Sequence, residues 1–179
     1  GPFPHIQFLI DTGESSDSYM DFASRIVERG YIVAVHSQET DSTEYEEILE
    51  RIEFVHNRLE SLNASSSGPI EGSFGQFDTL HWGLAGHGVG AAAAYGILPF
   101  WQNSTLYNST QPPRAMFGLG SDFEDWQSKH WDDFSPNNWT VNPASPSTGL
   151  FFTGTADEVS PTSEVESTLT QGKGLGWQL

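Results

Sequence analysis

Residues 81–96 read HWGLAGHGVGAAAAYG, and this stretch decides how the chain folds. The apolar run at 79–86 predicts a buried strand, and the alanine-rich run at 89–98 predicts a helix whose small face packs closely on a sheet. Glycines at the junction are typical of a sharp strand-to-helix turn, the setting in which a G-x-S-x-G motif presents a nucleophilic serine. The central position here is Gly88, however, and glycine has no atom that can attack a carbonyl carbon.

The rest of the chain alternates apolar strands with helical segments. Strands are predicted at 5–10, 31–35, 79–86, 114–120 and 149–155, and helices at 18–30, 42–63 and 89–98. The continuous apolar run at 31–35 is typical of a strand covered on both faces. The pattern predicts one α/β domain over residues 1–179, with a mostly parallel open sheet and helices on both faces. Residues 121–148 are a long polar insertion, expected to overhang the strand ends.

The composition excludes several classes of partner and site. Lys and Arg number 7 against 24 Asp and Glu, so the formal net charge is -17 and the sequence pI is about 4.4. Such a surface repels the phosphate backbone of nucleic acids, so no nucleic-acid partner is expected. The absence of cysteine rules out disulfides, thiolate metal sites and cysteine nucleophiles. No apolar run is long enough for a membrane span.

Four Asn-x-Ser/Thr tripeptides are candidate glycosylation sites. Their asparagines are Asn63, Asn103, Asn108 and Asn138. Together with the acidic composition they favour an extracellular location, either secreted or at the cell surface. No signal peptide is visible in the opening residues, so we expect any such signal to lie outside this sequence.

Three segments of the chain resemble the α/β-hydrolase fold. They are residues 1–37, 77–94 and 148–167, which are similar to the oxyanion-loop region, the nucleophile elbow and the acid loop of that fold. Within the fold, the nearest resemblance is to chlorophyllase, dienelactone-hydrolase and PET-hydrolase (cutinase-like) esterases. The resemblance implies a hydrolase core that is incomplete at both ends of this sequence.

The resemblance assigns roles to the residues of the elbow. Gly86 and Gly90 match the flanking glycines of G-x-S-x-G, and His87 matches the residue that commonly precedes the serine. Gly88 occupies the nucleophile position. The backbone amide of Val89 matches one donor of the oxyanion hole.

Two further roles lie outside the elbow. The backbone amide of Glu14 matches the second oxyanion donor, and Asp157 matches the acid of the catalytic triad. The family's triad histidine follows on a later strand, and no such segment occurs here. Since nucleophile and histidine are both missing, we expect no useful esterase turnover. The chain is therefore interpreted as a pseudoenzyme with a binding or structural role.

Two alternative functions remain open at this point. The first is an active cutinase- or lipase-like carboxylic ester hydrolase, in which Gly88 is an engineered change or Ser15, Ser16 or Ser37 serves as a relocated nucleophile. The second is a structural subunit of a cell-surface assembly, or a module that contacts other parts of a larger chain.

The carboxyl ends of the predicted parallel strands carry polar residues that should converge on one crevice. They are Asp11, His36, His87, Asp122 and Asp157. The first four are predicted binding residues for an ester-like small molecule or a glycan. All five together are chemically reasonable ligands for a divalent ion, but convergent polar residues are also typical of a decayed active site, so no metal or other cofactor is predicted. Trp126, Trp131 and Trp139 would either line a sugar-binding rim or pack the insertion down.

Overall fold

The computed structural model describes residues 2–37, 45–66, 74–97, 112–123, 148–154, 161–163 and 165–167. Several sequence predictions lie outside these residues. They are the triad-acid position Asp157, the glycosylation candidates Asn103, Asn108 and Asn138, and the three tryptophans of the insertion.

Five parallel strands form a single open sheet in the described residues. They are β1 (Phe3–Leu9), β2 (Ile32–Val35), β3 (Phe77–His87), β4 (Ala115–Leu119) and β5 (Thr148–Phe152), in the spatial order β2-β1-β3-β4-β5. The long central strand β3 pairs with β1 and β4, so the elbow at its end lies in the middle of the sheet. The predicted α/β class with a parallel sheet is confirmed.

Helices cover both faces of this sheet. A 3-10 turn (Ser16–Tyr19) leads into helix α1 (Met20–Val27), and α2 (Tyr45–Ala64) and α3 (Val89–Gly96) follow. Sequence periodicity predicted one helix over 18–30, and the structure divides that segment into the 3-10 turn and α1. None of the described helices is both long and apolar enough to cross a membrane.

Alternate residues of each strand pack against different helices. One face, here called the α1 face, carries Phe8, Ile10 and Ala85 and packs against Phe22 of α1. The opposite face carries Trp82 and packs against α2 and α3. Helix α2 buries an apolar side that includes Ile48, Leu49, Ile52 and Leu59. The helix also buries His56, which no apolar pattern indicates.

The strand at residues 32–35 differs from its prediction. The apolar run predicts a strand covered on both faces, but all four residues of β2 are only half-buried. The reason is position, because β2 pairs with β1 alone and ends the sheet in the described part of the chain.

Candidate functional site at the elbow

The turn between β3 and α3 depends on the backbone freedom of glycine. Gly88 joins His87 to Val89 with φ 54° and ψ -125°, a left-handed conformation that side-chain-bearing residues rarely adopt. Its N–H donates to the carbonyl oxygen of Leu119 at 3.0 Å, and its own carbonyl accepts the N–H of Asp122 at 3.1 Å. These bonds tie the elbow to β4 and to the residues that follow it.

The space where a side chain at position 88 would start is occupied by Asp11. A Cβ atom placed on Gly88 would overlap the carboxylate of Asp11, whose residue follows directly after β1 and Ile10. The Oδ1 atom of Asp11 accepts hydrogen bonds from the backbone N–H groups of Val89 and Thr12, each at 2.9 Å. The elbow therefore lacks a serine and is filled by a carboxylate from the neighbouring strand.

Asp11 also caps the N-terminus of helix α3, because the helix's own N-cap residue cannot do so. The N-cap position of α3 is Gly88, which has no side chain and forms no side-chain cap bond. The first N–H groups of a helix need acceptors, and a negative charge at this end interacts favourably with the helix dipole. The carboxylate of Asp11 meets both needs at Val89, a buried residue.

Both amides assigned to the oxyanion hole donate to Asp11. The N–H of Val89 is bonded to its carboxylate, and the N–H of Glu14 is bonded to its backbone carbonyl oxygen at 3.3 Å. An oxyanion hole works when its donors are free to meet charge that develops on a substrate. In this arrangement neither donor is free for that role.

A tyrosine that the sequence did not single out organises the crevice beside Asp11. The backbone N–H of Asp11 donates to the hydroxyl oxygen of Tyr19 at 3.2 Å, and the same hydroxyl is hydrogen-bonded to Nδ1 of His87 at 3.0 Å. Burial raises the pKa of Tyr19, so the phenol keeps its hydrogen at neutral pH. No sequence motif marks Tyr19, since its role depends on a contact with β3.

The structure does not bring all the predicted crevice residues together. Asp11 and His87 lie side by side, with Oδ2 and Nδ1 3.7 Å apart, and the backbone of Asp122 meets the elbow. His36 lies elsewhere, buried, with its Nε2 hydrogen-bonded to Oε1 of Gln7 at 3.0 Å. In the described ranges no group of three or more His, Asp or Glu residues is arranged to hold a metal ion.

The glycosylation candidate Asn63 lies at the end of α2. Its Oδ1 accepts the backbone N–H of Phe77 at 2.9 Å, and its carbonyl oxygen accepts the N–H of Gly75 at 3.0 Å. This residue therefore also orders the chain as it enters β3.

The sequence matches no protein-family model and no curated protein sequence. Its fold, in contrast, is similar to that of several solved structures. A truncated carbohydrate esterase from gut microbiota superposes with a TM-score of 0.67 at 11% identity, covering 99% of this chain and 75% of that one. Apo esterase 2 of Thermogutta terrifontis superposes with a TM-score of 0.63 at 12% identity, covering 99% of this chain and 70% of that one. The ydeN gene product of B. subtilis superposes with a TM-score of 0.60 at 12% identity, covering 95% of this chain and 81% of that one.

This chain has an α/β-hydrolase-like fold. The elbow between β3 and α3 is the place where that fold carries its nucleophile. In this chain the place holds Gly88 and the carboxylate of Asp11.

Replacing Asp11 with alanine is expected to lower the free energy of unfolding by about 1–2 kcal/mol. The change removes the cap of α3 and leaves the buried N–H of Val89 without its acceptor. Urea denaturation followed by circular dichroism measures the effect. Asp17→Ala is the control, since Asp17 is an exposed carboxylate in the 3-10 turn. Equal midpoints for the two variants would contradict the capping role.

Proposed function

We propose that this chain is a hydrolase-fold domain that binds a ligand and does not hydrolyse it. One observation carries the proposal: the nucleophile position is glycine, and its side-chain space is filled by the carboxylate of Asp11. Loss of a serine alone would leave a vacant site. Here the site is instead built around a different group, held by hydrogen bonds from Val89 and Thr12.

Acyl transfer has little support from the remaining groups. Such a reaction needs a nucleophile with an adjacent base and amides that are free to receive the oxyanion. Nδ1 of His87 is hydrogen-bonded to Tyr19, and the amides of Val89 and Glu14 are bonded to Asp11. These groups are engaged in hydrogen bonds within the protein, which favours a binding role over acyl transfer.

The groups that remain accessible are those that recognise hydroxyl-rich ligands. The side chains of His87 and Asp11 are 42% and 28% exposed. Nε2 of His87 and Oδ2 of Asp11 can each form a hydrogen bond with a sugar hydroxyl. A glycan is therefore the proposed ligand class. The acidic composition and the four sequons support an extracellular setting, where such ligands are common.

The experiment that tests the proposal combines a chemical probe with a binding measurement. The native chain is treated with a fluorophosphonate and assayed with p-nitrophenyl acetate, and its binding to a glycan array is measured in parallel. We expect no covalent adduct, no hydrolysis above buffer and binding to at least one glycan class. An adduct mapped by mass spectrometry to Ser15, Ser16 or Ser37 would instead establish an active enzyme with a relocated nucleophile.

The effects of substitutions at Gly88 and Asp11 are expected to be coupled. Gly88→Ser places a side chain at positive φ and displaces the carboxylate of Asp11, which should cost about 1–3 kcal/mol of stability. In the double variant Asp11→Ala/Gly88→Ser the overlap is gone, so the total loss should be smaller than the sum of the single losses. A double-mutant cycle in urea measures this difference. Strict additivity would show that the two positions are independent.

A further inference from the structure

A cavity lies on the α1 face of the sheet, separate from the elbow. Its volume is about 610 Å³, within the usual range of sites that bind small molecules. Gly83, Ala85 and Ala115 lie beneath it on β3 and β4, and their small side chains leave the space open. Phe22 of α1 and Phe117 of β4 also line it, so its surface is almost entirely apolar.

Four of the described polar residues line this cavity, namely His5, Tyr31, His81 and Arg114, and His81 is hydrogen-bonded to Asp78 at 2.8 Å. Tyr31 and Arg114 directly precede β2 and β4, and both line the cavity. Arg114 is exposed, and it forms no ion pair with any residue that the structure describes. The described lining contains no Asp or Glu, although the chain has 24 acidic residues against 7 basic ones.

We propose that this cavity binds a fatty acid, with its hydrocarbon chain on the apolar floor and its carboxylate at Arg114. An apolar channel accounts for the hydrocarbon part of the ligand. The planar guanidinium of Arg114 can pair with a carboxylate through two parallel hydrogen bonds. The elbow at Gly88 lies at the opposite, carboxyl edge of the same strands, so this site is independent of the proposed glycan site.

Calorimetric titration of the native chain with three ligands of equal length tests the head-group preference. The ligands are laurate, dodecanol and dodecyltrimethylammonium, each kept below its micelle-forming concentration. Laurate is expected to bind most tightly, and the ammonium compound about tenfold or more weakly, because Arg114 attracts one head group and repels the other. Ala115→Leu fills the floor and should abolish binding of laurate and dodecanol alike.

Arg114→Gln should weaken laurate binding about tenfold and leave dodecanol binding unchanged. Arg25→Gln is the matched control, since Arg25 is an exposed cation of α1 outside the cavity lining, and it should change neither. The proposal is overturned if laurate does not bind, if all three ligands bind alike, or if the two arginine variants behave identically. It is also overturned if sedimentation shows a dimer that Ala115→Leu dissociates, because a second copy would then occupy this face.

Discussion

Gly90→Ala is expected to lower the free energy of unfolding by about 3 kcal/mol or more, a large share of the stability of an ordinary domain. A Cβ on Gly90 would lie 2.5 Å from the carbonyl oxygen of Leu9 and would overlap that of Ile10. Both obstacles are backbone atoms at the end of β1, so no side chain can rotate away. Helix α3 would have to move off the sheet, and its buried residues from Val89 to Gly96 would lose their packing.

Urea denaturation at neutral pH, followed by far-ultraviolet circular dichroism, measures this loss. Gly83→Ala is the matched control, because Gly83 lies in β3 and has ordinary φ like Gly90, but its new Cβ would come no closer than 3.3 Å to the Ala115 carbonyl oxygen. The control should stay within about 1 kcal/mol of the native chain. Similar losses at the two positions would mean that close backbone approach at Gly90 is not what holds α3 in place.

The second large effect is expected on acidification, because three of the histidines that the structure describes are buried. Burial lowers the pKa of His5 and His36 to about 4 each. It also lowers that of His56, whose ring lies 5.3 Å from that of His5. His5 stacks on Trp82 with ring centroids 5.5 Å apart, so a charge there would be placed inside the core.

The sign of the pH dependence follows from the direction of these shifts. A histidine in the unfolded chain titrates near pH 6.5. Above that pH the buried histidines are neutral in both the folded and the unfolded chain, so their burial costs no stability. Between pH 6.5 and about 4 the unfolded chain binds protons that the folded chain excludes, and stability falls. For His5 and His36 the loss is about 3 kcal/mol each once pH 4 is reached.

Charged groups near the three histidines also contribute to the pH dependence of the unfolding free energy. Arg51 of α2 faces His36, Glu60 and Glu53 face His56, and Asp78 of β3 faces His5. Relief of repulsion among the carboxylates at low pH acts in the opposite direction. Comparing variants with the native chain removes that shared contribution from the result.

His36→Gln is expected to make the free energy of unfolding less dependent on pH between pH 6.5 and 4. The slope should fall by up to about 1.4 kcal/mol per pH unit, which corresponds to one proton. Asn57→Gln, at an exposed position of α2 without a titratable group, is the control and should leave the slope unchanged. Urea denaturation at several pH values between 7.5 and 4 provides the comparison. If the two variants keep the same slope as the native chain, proton exclusion at His36 does not contribute to acid unfolding.

Local sequence pattern was sufficient for the order of the elements. Hydrophobic periodicity depends on neighbours a few residues apart, so the strands and helices were predicted close to their observed positions. The buried pair of His5 and His56 was not predicted, because a histidine becomes a core residue only when another element covers it. Here the ring of Trp82 and helix α2 provide that cover.

The glycines of the elbow and the absence of a serine at position 88 can be read from the sequence, because glycine spacing and residue identity are local properties. What fills the space beside Gly88 depends on the tertiary structure. Asp11 lies 78 residues from Val89 along the chain, and their hydrogen bond exists because β1 and β3 are neighbours in the sheet. The pairing of β1 with β3 brings the carboxylate of Asp11 to the start of α3. Residue spacing within either segment does not predict this contact.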